Sequence, residues 1–143
     1  MKKSLLKIIV FAVLINTTVF AEVSVYVNND KLDIVTDVVC DRTFVPMRII
    51  FESLGAEVEW FDESQSILAT KESKLIALKI GINRLIVRDI SNGETIVSEI
   101  DVAPMLKDGK TIVPLRAVSE ALHASVEWIE DTQSIYISEN HMK

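Results

Sequence analysis

One stretch of this chain is written twice. Thr43-Phe44-Val45-Pro46-Met47-Arg48 recurs as Thr111-Ile112-Val113-Pro114-Leu115-Arg116, Val58-Glu59-Trp60 as Val126-Glu127-Trp128, and Gln65-Ser66-Ile67 as Gln133-Ser134-Ile135. Every match lies 68 positions from its partner, so the segments at about 43–70 and 111–138 align without a gap. A repeated unit of this size cannot bury its own apolar face, so the two copies are expected to share one core.

Each copy follows the same local pattern. A β-branched run, Thr43-Phe44-Val45 or Thr111-Ile112-Val113, leads into a proline. The residue before proline is pushed toward extended geometry, while proline suits the first helical position, so a helix is expected to start at Pro46 and at Pro114. Met47, Ile50, Phe51 and Leu54 then fall at helical spacing, as do Leu115, Val118 and Leu122, which predicts two helices of about nine residues, each burying one face. Gly55 is a natural left-handed stop for the first; His123 holds the matching place in the second. Val58-Glu59-Trp60 and Val126-Glu127-Trp128 alternate as strands with one buried face, and each is followed by a polar turn and a second strand.

Outside the copies, Val23 to Val27 and Leu32 to Val35 flank an Asn28-Asn29-Asp30 turn and read as a hairpin. Leu75 to Ile80, Arg84 to Val87 and Glu94 to Ile100 read as strands, with Ser91-Asn92-Gly93 as a turn. Helices this short do not persist alone, so they must pack on sheet. The fold class expected is α+β, an antiparallel sheet packed on short helices.

The first residues have a different character. Met1-Lys2-Lys3-Ser4 precedes an apolar stretch from Leu5 to Phe20 and then Ala21-Glu22, the layout of a secretory signal peptide over 1–21 with cleavage after Ala21. The alternative is an uncleaved anchor, although the uninterrupted apolar run Ile8 to Ile15 is far shorter than the roughly 20 residues that cross a bilayer. Residues 22–143 would then form one exported domain with no membrane span. Cleavage removes three lysines and no acid, so the formal charge of −6 becomes −9. That acidity excludes nucleic acid as a partner, because phosphate neutralisation needs clustered Lys and Arg. Cys40, the single cysteine, cannot form an internal disulfide; it reads as a small apolar residue at a strand end, with an intermolecular disulfide as the alternative.

Six residues stand out as a structural motif. Arg48 and Arg116 lie in the first turn of their helices, where the dipole disfavours a cation. A guanidinium there is expected to reach the adjoining hairpin, tying helix to sheet with Pro46 and Trp60 in one copy and Pro114 and Trp128 in the other. A ligand-facing role for the arginines is the alternative. Trp60 and Trp128 sit on the apolar phase of their strands and read as core residues, with sugar stacking as the alternative. The acidic turns Asp62-Glu63 and Glu130-Asp131 lack the alternating spacing and glycine of a calcium loop. The two histidines, His123 and His141, have no second ligand at a metal-site spacing, and neither a Gly-x-Ser-x-Gly elbow nor a phosphate-binding glycine loop is present. No catalytic residue, cofactor or metal is expected.

With its paired Val-Pro-x-Arg motifs, Val-Glu-Trp strands and the Asp101-Val102-Ala103-Pro104 lead-in, the chain from about Val23 to Ser138 resembles the copper amine oxidase N-terminal-like, or stalk, domain family. The lead-in of the first copy, Asp37-Val38-Val39-Cys40, departs from that pattern. The resemblance implies a non-catalytic appendage, since copper and quinone in the namesake oxidases belong to a separate catalytic domain. It carries no copper ligand onto any residue here. The expected role is a secreted or cell-envelope-associated binding or structural module. Its expected partners are a cell-wall polymer, another exported protein or a second copy of itself. Inhibition or regulation of a secreted enzyme is the alternative role, and a small metal-dependent enzyme the least favoured.

Overall fold

The structure is a computed structural model and describes residues 22–140; the expected signal peptide and His141 lie outside the described residues. The chain opens with a hairpin of β1 (Ser24–Val27) and β2 (Asp30–Leu32). Asn28 and Asn29 both take positive φ, 49° and 71°, the geometry a tight two-residue hairpin turn requires. That short turn starts the second strand at Asp30 rather than at the expected Leu32, and Val35 is left 75% exposed.

A second hairpin, β3 (Asp37–Val39) and β4 (Arg42–Pro46), feeds α1 (Met47–Ser53). Then come β5 (Glu57–Phe61), β6 (Ser66–Lys71), β7 (Lys74–Lys79), β8 (Arg84–Asp89) and β9 (Thr95–Glu99), an antiparallel meander. The same order of hairpin, helix, hairpin returns as β10 (Met105–Lys107), β11 (Lys110–Pro114), α2 (Leu115–Ala121), β12 (Ala124–Ile129) and β13 (Ser134–Glu139).

Both prolines end a strand instead of beginning a helix. Pro46 and Pro114 have helix-compatible φ of −59° and −62° but extended ψ of 118° and 116°, and both still pair between β4 and β11. Each helix is therefore 7 residues long, shorter than its apolar spacing suggests. Both stop in the left-handed region, at Gly55 (φ 78°) and at His123 (φ 58°).

Three sheets replace the single one expected, in orders β12-β13-β1-β2, β10-β11-β4-β3 and β5-β6-β7-β8-β9. The strand pairs are antiparallel except one. β1 runs parallel to β13, setting Val25 beside Ile135 and Val27 beside Ile137, with Tyr26 stacked on Tyr136 at 4.7 Å between ring centroids. In the middle sheet β4 and β11 meet antiparallel with Val45 opposite Val113, two residues 68 apart.

One core joins all three sheets. Met47, Ile50, Phe51 and Leu54 from α1 meet Leu115, Val118 and Leu122 from α2, together with Ile67, Ala69 and Ile76 of the meander and Val25, Val27, Ile135 and Ile137 of the terminal sheet. Each fully buried aliphatic or aromatic side chain contributes about 1.5–3 kcal/mol, so the paired apolar faces of two short helices are a substantial part of the stability. A partly buried ion pair, Lys71 to Glu139 at 2.6 Å, joins the ends of β6 and β13, again 68 residues apart.

Candidate functional site

Arg48 and Arg116, alike in sequence, are placed differently. Arg48 Nη1 donates to the Val58 carbonyl of β5 at 3.1 Å and pairs with Glu52 at 3.3 Å. Arg116 instead faces Glu120 at 3.9 Å and lines a hollow of about 560 Å³. The tryptophans diverge in the same way. Trp60 is partly buried against the core and donates from Nε1 to Asp62 at 3.4 Å, whereas Trp128 is 43% exposed. Trp128 thus departs from the core position expected of it. β12 and β5 are both outermost strands, and the difference lies in what faces them: Trp128 overhangs the hollow, whereas Trp60 packs against the core.

Several elements make the hollow. α2 supplies Leu115, Arg116, Ala117 and Glu120; β12 and β13 supply Val126, Trp128 and Ile135. The start of β4 gives Asp41, Arg42 and Thr43, and the end of β9 with the following loop gives Glu99, Ile100, Asp101 and Val102. Leu115, Ile100 and Ile135 are almost fully buried and form an apolar floor. Charged groups of both signs stand around it.

Arg42 and Asp101 fix one side of this rim. Arg42 donates from Nη2 at 2.6 Å and from Nε at 3.0 Å to the same Asp101 oxygen, and this hydrogen bonding raises the guanidinium's pKa further. Asn83 donates to the Asp101 carbonyl at 3.0 Å and holds the loop in place. Asp101 belongs to the Asp-Val-Ala-Pro lead-in, so the family resemblance pointed to its neighbourhood; Arg42 and Glu99 carry no comparable mark in the sequence.

Cys40 follows the end of β3 directly, in the turn to β4 at φ 50°, and is exposed. A turn closing two three-to-five-residue strands leaves nothing to bury it. In the same sheet, Lys107 Nζ donates to Asp37 Oδ1, which raises the lysine's pKa and connects the outer strands. Among the described residues, no three of His, Cys, Asp and Glu converge on a common point. No helix among them is long and apolar enough to cross a membrane. The hollow's lining includes neither histidine nor cysteine, and its charged groups stand as a rim around an apolar floor.

Comparison with known proteins shows what the chain is similar to. The family model described as copper amine oxidase N-terminal domain matches residues 25–137. A protein from Brevibacillus choshinensis described as a protease inhibitor is 27% identical over 121 residues, which cover 83% of this chain. The chain spans 35% of that relative's length.

Proposed function

Because the chain belongs to the copper amine oxidase N-terminal domain family, matched over residues 25–137, we propose that it is an exported, non-catalytic module that binds another protein. One observation carries this reading: a half-exposed tryptophan, Trp128, stands over an apolar floor ringed by charged groups. Protein interfaces concentrate their affinity in such places, where an aromatic anchor is surrounded by a polar rim that excludes water. Copper, which the family's name carries, does not fit the residues present. His123 is exposed on a helix-terminating turn, and no set of His, Cys, Asp and Glu side chains gathers around it among the described residues.

The description of the Brevibacillus relative favours a narrower reading, in which the partner is a secreted protease. In both readings residues 1–21 act as a signal peptide and residues 22–143 are the mature domain, released or kept at the envelope. We also read 43–70 and 111–138 as two copies of one unit. The pairing of Val45 with Val113 and of Lys71 with Glu139, each 68 residues apart, supports a local two-fold relation between them.

The test uses the full chain and its Trp128→Ala variant. Binding to cell-wall sacculi, to proteins of the culture medium and to a panel of secreted proteases is measured by cosedimentation, capture and inhibition titration. Capture of a defined protein, weakened about thirtyfold or more by Trp128→Ala with the fold intact, is the expected result. Binding to sacculi alone, or binding indifferent to Trp128, would overturn it.

A further inference from the structure

The outermost strand of the meander is bare. Every residue of β9 is exposed, including Ile96 at 54% and Val97 at 57%, and among the described residues it pairs with β8 alone. The sheet's core-facing row Val58, Ala69, Ile76, Val87 and Ile96 is buried in its middle and runs out into solvent at Ile96. The core beneath the sheet therefore stops before the sheet does.

The direction of the free hydrogen-bonding groups follows from the ladder. Asp89 N–H donates to Glu94 and Ile100 N–H to Asn83, so inward bonding falls on residues 94, 96, 98 and 100. The N–H and C=O groups of Thr95, Val97 and Glu99 consequently point away from β8. Such an edge is normally blunted by shortness, by charge or by a covering element. β2, β3 and β10, outer strands of the other sheets, have only three residues each. β5 carries Glu57 and Glu59 and has α1 against it, and α2 lies against β12. The middle of β9, Ile96-Val97-Ser98, has neither charge nor proline.

We infer that β9 is an interface for a second copy of this chain, paired antiparallel about Val97. In that register Val97 meets its own counterpart and exchanges both hydrogen bonds with it, and Thr95 does the same with Glu99 of the other copy. The charges agree as well as the bonds. Within one sheet Arg84 stands opposite Glu99 and Arg88 opposite Thr95, so the joined row reads Arg84, Glu99, Thr95, Arg88, in which each acid has a cation on one side and no like charges stand adjacent. In the row between, Val97 meets its own counterpart and Ile86 flanks it on each side. The two-fold uses up both edges, so association stops at a dimer instead of continuing into a fibre. Glu99 belongs to both surfaces, but Val97 does not line the hollow and Trp128 lies off β9, so the two can be tested apart.

Sedimentation of the full chain is expected to show a dimer that dissociates on dilution. Val97→Pro removes an outward N–H that the monomer does not use, so it is expected to leave the circular dichroism unchanged and weaken dimerisation about tenfold or more. Val97→Lys, which places two cations side by side on the axis, is expected to do the same. In a Cys40→Ser background, Val97→Cys is expected to give a disulfide-linked dimer on oxidation, and Trp128→Ala to leave the mass unchanged. A chain that stays monomeric at every concentration overturns the inference. So does a dimer that is indifferent to both Val97→Pro and Val97→Lys.

Discussion

Single residues decide where this chain turns. His123 ends α2 in the left-handed region at φ 58°, where an L-residue with a Cβ is strained by about 1 kcal/mol and glycine is not. His123→Gly is expected to raise the unfolding free energy by about 0.5–1 kcal/mol, read from the urea midpoint. Gly55→Ala should lower it by about 1 kcal/mol; an added Cβ there meets only Lys71 Cε at 4.0 Å, so the cost is backbone strain and not crowding. Asp89 gives a pH test. Its carboxylate accepts from Lys74 Nζ at 2.7 Å and from Ser91 N–H and Oγ at 2.9 Å and 2.6 Å, which holds its pKa well below the ordinary 3.8. A depressed carboxyl pKa stabilises the fold above the unfolded value and loses that contribution as pH falls below it. The stability gap between wild type and Asp89→Asn should therefore be full at pH 7 and narrow below about pH 4, measured by denaturant titration at each pH.

At the scale of elements, the strand-to-helix switches at Pro46 and Pro114 and the stop at Gly55 could be read directly, because each rests on one residue's backbone preference, whereas the stop at His123 was legible only by its place in the repeat. The helices' buried stripes followed from spacing. β3 and β10 escaped notice because three residues are too few to show alternation. The parallel pairing of β1 with β13 escaped because no local signal records which distant strand a hairpin will join. The contrast between Trp60 and Trp128 has the same cause: equivalent positions on matching strands have different neighbours across the chain, and exposure is set by those neighbours. The hollow was legible through Pro114, Arg116, Trp128 and the lead-in at Asp101, while Arg42 and Glu99 reach it through tertiary placement. Lys71 and Glu139 join the two hairpins with side chains 20% and 23% exposed. A double-mutant cycle of Lys71→Met and Glu139→Gln is expected to give a coupling of about 1 kcal/mol, above that of a fully exposed pair.

At the scale of the molecule, the two halves depend on each other. β4 pairs with β11, and the buried faces of α1 and α2 belong to one cluster. A chain cut between β6 and β7 is therefore expected to give two fragments without a cooperative thermal transition, and mixing them should restore one, followed by circular dichroism. The clasp of β1 on β13 has a mechanical consequence. The strands run parallel, Ser24 beside Ser134 and Val27 beside Ile137, so the chain enters this ladder at one end and leaves it at the other. Tension between Glu22 and Asn140 drags the two strands lengthwise past each other and loads their hydrogen bonds together, where an antiparallel pair held at one end would unzip bond by bond. Pulled from its ends, this domain is built to resist in shear.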